Sequence, residues 1–142
     1  MIIKQVSVFL ENKTGRLNEV THILGEAGIN ISAFTIADTS DFGILRLIVP
    51  DPEKAKEVLK KHDFSVQTTD VVLVKSPNNP GGLANMLQIL NTEEIFIEYM
   101  YAFSMNETDA IIVIRTVDVQ KCMDVLQKHM AELLVTNKNY QL

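Results

Sequence analysis

Apolar and polar residues alternate from Lys4 to Leu10, with Val6, Val8 and Leu10 on one face, which predicts a strand. Turn residues follow from Glu11 to Gly15. The next apolar residues recur at helical spacing, and they are Leu17, Val20, Ile23, Leu24 and Ala27. This spacing predicts an amphipathic helix that ends at Gly28.

The chain from Ile29 to Gln67 continues with two strands, a helix and a further strand. The strands are predicted at Ile29 to Ala37 and Ile44 to Val49, with another at Phe64 to Gln67. Asp51-Pro52-Glu53 predicts a helix start, because Asp caps, Pro fits the first helical position and Glu favours the first turn. The predicted order is βαββαβ.

The same pattern then occurs a second time, at an offset of 66 residues. The matching turns are Asn12-Lys13-Thr14-Gly15-Arg16-Leu17 and Asn78-Asn79-Pro80-Gly81-Gly82-Leu83. Beyond Ile97 the offset becomes 67, so that Ile44 matches Ile111. The second copy therefore holds one inserted residue between Ile97 and Ile111, and we expect it in a turn, where insertions disturb least.

The second copy is predicted to contain the same six elements. They lie at Val71 to Val74, Gly82 to Leu90, Ile95 to Phe103, Ala110 to Arg115, Val119 to His129 and Leu133 to Asn137. The predicted class is α+β, with two tandem ferredoxin-like βαββαβ units side by side and helices on one sheet face. The expected boundaries are 1–68 and 69–142, joined by Thr68-Thr69-Asp70 without a flexible linker.

Composition narrows the possible functions. The net charge is −5, which argues against nucleic-acid or anionic-membrane binding, because phosphate neutralisation needs clustered Lys and Arg. A single Cys excludes an intramolecular disulfide and a Cys-rich zinc site. Neither a leader peptide nor a membrane-length apolar run is visible. We therefore expect a cytoplasmic protein.

The sequence does not predict a catalytic centre. The three histidines, His22, His62 and His129, show no metal-ligand spacing, and no nucleophile–base arrangement is apparent. Cys122 falls on a buried helix face and is expected to be a packed thiol. The aromatic residues Phe34, Tyr99, Tyr101 and Phe103 pack in the core or on the sheet, or line a pocket. We expect no enzymatic activity, no cofactor and no metal.

The duplicated turn, Asn-x-x-Gly-x-Leu, is the most informative feature. Its glycine tolerates positive φ, and the first N–H groups of the following helix suit an anionic group such as a carboxylate. A capped turn without a ligand is the alternative, because Asn and Gly are common turn formers. Both interpretations remain open at this point.

The sequence resembles the ACT domain family. The first copy matches through the strand from Val6 to Leu10, the loop Asn12 to Leu17 and the run Ala27-Gly28-Ile29-Asn30-Ile31. The second copy matches through Val71 to Lys75 and the loop Asn79 to Leu83. The first copy has Thr14 where Pro is usual. The second has Asn91 to Ile97 in place of the Ala-Gly-Ile-Asn-Ile run, which implies an altered or empty second site.

This resemblance implies a regulatory module that binds a free amino acid at the interface between paired domains. Asn12 to Leu17 and Asn78 to Leu83 would be the ligand loops, with Ile31 to Phe34 and Ile97 to Met100 as weaker candidates for the opposite wall. It also implies an intrachain pseudo-dimer that forms homodimers.

Two alternatives accompany this interpretation. One is a regulatory subunit acting in trans on a biosynthetic enzyme such as acetolactate synthase, whose small subunit also begins with an ACT domain. The other is a small enzyme of the acylphosphatase type, for which Arg16 and Asn12 are present but the surrounding turn does not match.

Overall fold

The computed structural model describes residues 1–105 and 107–130 of the 142-residue chain. The chain divides into two compact units. The first unit consists of Lys4–Thr69. The second consists of Met1–Ile3 together with the described chain from Asp70 to Met130. Thr68 to Asp70, the predicted join, lie inside one continuous strand.

The first unit has the predicted order of elements. They are β1 (Ile2–Glu11), α1 (Arg16–Glu26), β2 (Ala33–Asp38), β3 (Phe42–Ile48), α2 (Pro52–Lys61) and the start of β4 (Ser65–Pro77). Strand β3 lies between β1 and β2 and is antiparallel to both. Strand β2 is shorter than the predicted Ile29 to Ala37, because the chain reaches its partner only at Ala33, opposite Ile48.

The second unit repeats this plan from β4 onward. Its further elements are α3 (Gly82–Thr92), β5 (Ile97–Met105), β6 (Asp109–Thr116) and α4 (Val119–His129). Strand β6 lies between β4 and β5 and is antiparallel to both. The last predicted strand, Leu133 to Asn137, lies outside the described residues. The α+β, ferredoxin-like class is confirmed.

Each unit has its own apolar core between helices and sheet. In the first unit Val6, Val8 and Leu10 pack with Leu24 of α1 and Leu59 of α2. In the second, the core comprises Val72, Val74, Met86, Leu90, Ile112, Ile114, Cys122 and Leu126, among others. Complete burial of a leucine side chain stabilises a fold by about 1.5–3 kcal/mol, so these stripes hold the helices on the sheet.

The four helices begin in two different ways. Asp51 caps α2 by accepting a hydrogen bond from the Lys54 N–H at 3.0 Å, and Asp118 caps α4 by accepting one from the Lys121 N–H at 2.9 Å. The predicted Asp-Pro start of α2 is confirmed. Helices α1 and α3 instead begin after Gly15 and Gly81, and neither has a side-chain cap.

The inserted residue of the second copy lies in a strand, so its expected position in a turn is wrong. In the first unit Ile36 and Ala37 oppose Leu45 and Ile44. The equivalent partners in the second unit, Ile112 and Ile111, oppose Ala102 and Ser104. Phe103 is therefore the extra residue, and the register shift between Ala102 and Ser104 marks a β-bulge, in which two residues of one strand oppose one residue of its partner.

None of the helices in residues 1–105 and 107–130 has the length and apolar character that crossing a membrane requires.

Candidate functional site

The two predicted loops occupy equivalent positions and are tied to the fold in the same way. The Asn12 N–H donates to the Asp41 carbonyl at 3.1 Å, and the Asn78 N–H donates to the Thr108 carbonyl at 2.9 Å. Each loop is thus joined to the turn between the second and third strands of its own unit. In the first loop, Asn12 Nδ2 also donates to the Thr39 carbonyl at 2.6 Å.

The glycine before each helix adopts the same left-handed conformation. Gly15 has φ 91° and ψ −13°, and Gly81 has φ 89° and ψ −13°. Glycine reaches this region without steric cost. No side chain caps α1 or α3, so the positive end of each helix dipole is available to an anionic group. The first N–H of each helix is already bonded, because Arg16 N–H donates to the Lys13 carbonyl at 3.3 Å and Gly82 N–H donates to the Asn79 carbonyl at 3.0 Å.

The charged side chains of the first loop contact neighbouring side chains of the first unit. Lys13 Nζ lies 2.6 Å from Glu11 Oε2, and this hydrogen bond lowers the pKa of the Glu11 carboxyl below its usual value. Arg16 pairs with Glu19 at 2.9 Å and lies over the Phe64 ring, 4.4 Å from its centroid. The charges of this loop are therefore matched by neighbours of the same unit.

The second loop has small residues at the corresponding places. Gly82 takes the position of Arg16, and Pro80 the position of Thr14. A methyl group added at Gly82 would overlap the carbonyl oxygen of Pro77. The backbone therefore passes close to itself at this point, and only glycine fits.

A cavity of about 370 Å³ lies beside the second loop, within the second unit. It is lined by Ser76 to Asn79 and Leu83, by Met100 to Ala102 of β5, and by Ala110 and Ile112 of β6. The structure thus brings the predicted loop residues Asn78, Asn79 and Leu83 together with Met100. Pro80, Gly81 and Gly82 shape the loop but do not line this cavity.

Ser76 is the one buried polar residue in the cavity lining. It is 1% exposed, and its Oγ has no hydrogen-bond partner in the part of the chain that the structure describes. Sequence reasoning did not select it, although a signal was present. Ser76 continues the buried stripe of Val72 and Val74, and its counterpart in the first copy is Leu10.

Two wall residues of β5 are smaller than their counterparts in the first unit. The strand pairing makes Ile36 the counterpart of Ala102, and Phe34 the counterpart of Met100. Phe34 and Ile36 are exposed large apolar residues of the first unit. At these two positions the second unit has the smaller side chain beside its cavity.

The remaining candidate residues have structural partners. His62 Nδ1 lies 2.8 Å from the Val58 carbonyl at the end of α2, and His129 Nε2 lies 2.8 Å from Glu93 Oε1. Cys122 is buried, as expected, and burial raises the pKa of its thiol to about 11, so it is a poor nucleophile near neutral pH. Within residues 1–105 and 107–130, no three His, Cys, Asp or Glu side chains form a cluster that could hold a metal ion.

Comparison with solved structures shows high similarity over the whole chain. Protein BT0572 from Bacteroides thetaiotaomicron is 48% identical in sequence, and its structure aligns with a TM-score of 0.90. The alignment covers 100% of this chain and 98% of that one. The regulatory subunit of aspartate kinase from Thermus thermophilus shares the fold at 14% identity and a TM-score of 0.65, over 92% of this chain and 97% of that one.

A second regulatory subunit of aspartate kinase, from Thermus flavus, aligns at 16% identity and a TM-score of 0.64, over 90% of this chain and 94% of that one. At these identities the likeness to the two kinase subunits concerns the fold alone. A search of curated proteins finds no significant match. The family model described as "ACT domain pair" matches residues 1–141, and the chain therefore belongs to the ACT domain family.

Proposed function

We propose that this protein is a regulatory module that binds a free amino acid, and that the cavity beside Asn78 to Leu83 is its ligand site. The observation that carries the proposal is the position of this cavity, between the loop that begins α3 and the strand β5. Its lining is mainly apolar with a few polar groups, which is typical of small-molecule sites.

The proposed site offers separate regions for the two parts of an amino acid. The carboxylate suits the N-terminus of α3, which no side chain caps. The side chain suits the apolar surface of Leu83, Met100 and Ile112. Asn78 and Asn79 precede α3 in the chain and line the cavity, and an amide side chain can both donate and accept hydrogen bonds.

Regulation would then follow from linkage. A ligand that binds one conformation of the protein more tightly shifts the population toward that conformation, and a partner that distinguishes the conformations responds. The partner enzyme, the homodimer and the cytoplasmic location are further parts of the proposal. Light scattering of the purified chain tests the dimer, and co-purification from cell extract tests the partner enzyme.

The loop Asn12 to Leu17 is a second proposed site. It has the same glycine conformation and the same uncapped helix as the loop at Asn78 to Leu83. Its charged side chains are paired within the first unit, so we expect it to bind more weakly than the second loop.

The test is thermal unfolding of the full chain against each of the twenty amino acids at millimolar concentration. A ligand at 100 times its Kd adds about 2.7 kcal/mol to the folded state. In a chain of this size we expect the midpoint to rise by several degrees. A flat response to the whole panel would overturn the proposal.

One variant assigns the response to the cavity. Ala102→Ile places in β5 the residue that the first unit carries at the same position, and it fills the space beside Met100. We expect it to abolish the ligand-induced shift while the unliganded midpoint stays within about two degrees, since Ala102 lies on the exposed cavity wall. The matched control is Ile36→Ala in the first unit, which should leave the shift intact.

A further inference from the structure

We propose that the cavity selects amino acids whose side chain carries a neutral hydrogen-bonding group, such as a hydroxyl, and that Ser76 determines this selectivity. The inference rests on the proposed function and specifies the ligand of the same site. It depends on three observations, which are the buried Ser76 hydroxyl, the uncharged lining and the uncapped start of α3.

The Ser76 hydroxyl requires a partner. A buried hydroxyl without a hydrogen bond is unfavourable, because it has lost its bonds to water and gained none. Ser76 Oγ is in this condition in the described structure, although the residue belongs to the cavity wall. Rotation about χ1 moves a serine hydroxyl between staggered positions, so a bound ligand can be reached from this site.

The lining excludes a charged side chain. All the lining residues within the described part of the chain are neutral, and most present apolar surface. An ammonium, guanidinium or carboxylate at the end of a ligand side chain would be desolvated there without a counter-charge. A neutral donor or acceptor pays a much smaller cost, which the Ser76 hydroxyl offsets by hydrogen bonding.

The charged part of the ligand has a separate place. Asn79 and Leu83, at the two ends of the loop that starts α3, both line the cavity. Gly81 provides no side-chain cap, in contrast to Asp51 and Asp118 at the other helices. The carboxylate therefore goes to the helix N-terminus, and Ser76 is left for the side chain.

Matched pairs of amino acids test the inference by calorimetric titration of the full chain. L-Threonine and L-valine have nearly the same shape and differ by a hydroxyl in place of a methyl group. L-Serine with L-alanine and L-asparagine with L-leucine give two further pairs. We expect the polar member of at least one pair to bind at least tenfold more tightly, because a site built around a hydroxyl rejects the analogue that leaves it unpaired.

Variants at Ser76 identify the residue responsible. Ser76→Ala should weaken binding of the preferred polar amino acid about tenfold or more. The affinities of this amino acid and its apolar partner should then differ by no more than about threefold. Ser76→Thr retains a hydroxyl and should keep the preference. Thermal midpoints of both variants serve as the control for folding. If either variant fails to fold, the affinity ratios of the amino-acid pairs in the wild type test the selectivity.

The outcomes separate this inference from the proposed function. If no amino acid binds to the wild type, both fail together. If amino acids bind but each apolar member equals or exceeds its polar partner, the selectivity inference is overturned and the proposed function stands. Retention of the full preference in Ser76→Ala would likewise overturn the role of Ser76.

Discussion

The loops at Asn12 to Leu17 and Asn78 to Leu83 have the same backbone conformation and different side chains. Their glycines agree within a few degrees in φ, and both loops hydrogen-bond to the turn after the second strand of their unit. The first loop has Arg16 and Lys13 in ion pairs with neighbouring carboxylates. The second loop has Gly82 and Asn79 at these positions and borders a cavity.

This difference teaches that the duplicated motif specifies the same backbone conformation in both units, while the side chains around it differ. The Asn and Gly positions shape the turn in both units. Residues on the neighbouring strands also differ in size between the units, as Ile36 and Ala102 do. Candidates for ligand binding therefore have to be sought on the strands as well as in the loop.

The largest expected effect comes from closing the space at Gly82. In Gly82→Ala the new methyl group would overlap the Pro77 carbonyl, and we expect a loss of about 3 kcal/mol in the free energy of unfolding, at the upper end of overpacking costs. Urea denaturation measures it. The control is Gly25→Ala in α1, where nothing lies within 4 Å, and a gain of up to about 1 kcal/mol is expected.

Alkylation of Cys122 shows whether Gly82→Ala destabilises the second unit. This thiol is buried in the second unit and has a pKa of about 11, so an alkylating reagent should react only after that unit opens. Faster labelling in Gly82→Ala than in Gly25→Ala is expected. Equal rates would contradict the close packing at Gly82.

The next effect compares the two left-handed glycines directly. Gly15→Ala and Gly81→Ala place alanine at φ 91° and 89° with nothing within 4 Å of the new methyl group, so strain alone acts. We expect each variant to lose about 1–2 kcal/mol of unfolding free energy, with nearly equal values. Thermal unfolding with the preferred amino acid should show a reduced shift in Gly81→Ala and a normal shift in Gly15→Ala.

A smaller effect is expected from the asparagine of the first loop. Asn12→Ala removes the hydrogen bond from Nδ2 to the Thr39 carbonyl, which should cost about 1 kcal/mol in unfolding free energy. Asn12→Asp keeps the size but loses the donor, and it should cost a similar amount in urea denaturation. A loss of amino-acid binding in either variant, with stability unchanged, would instead assign ligand contact to Asn12.

The smallest expected effect on the unfolding free energy concerns Glu93, which follows α3 and contacts the end of α4. Glu93 accepts from His129 at 2.8 Å and lies 3.5 Å from Lys128, and these contacts lower the pKa of the Glu93 carboxyl below its usual 4.5. In the first unit the counterpart is Ala27, whose carbonyl accepts from Lys54 Nζ at 2.8 Å.

A carboxyl with a lowered pKa stabilises the fold above its unfolded pKa and loses that contribution as the pH falls through its folded pKa. We therefore expect Glu93→Gln to lower the unfolding free energy slightly at pH 7, and we expect this difference from the wild type to disappear as the pH falls through the folded pKa of Glu93, which lies below 4.5. Urea denaturation at pH 7, 5 and 3 measures this. A difference that is constant across this range would contradict the ion pair.

Local sequence chemistry predicted much of the fold. The start of α2 follows from Asp51, because a cap involves residues three apart in the chain, and the start of α4 follows from the match of the second copy to the first. Helix α4 has the predicted bounds Val119 to His129. The limits of β2 were less accurate, because they depend on where the chain meets β3 and not on its own apolar run.

The cavity was only partly predictable. Asn78, Asn79 and Leu83 follow from the repeated motif, whereas Ala110 and Ile112 join the site through the pairing of β6 with β4. Periodicity does not report which residues of distant segments leave space between them. Ser76 was detectable in principle, as a polar residue in the buried stripe of β4.

The bulge at Phe103 carries information on the descent of the two halves. In the described part of the chain β5 is hydrogen-bonded to β6 alone. One extra residue in β5 alters a single ladder, whereas one extra residue in β6 would alter two. Length differences among relatives of this chain should therefore accumulate in β5 and its counterpart β2, and an alignment of the two halves that forbids a gap at this point would misplace every later residue by one.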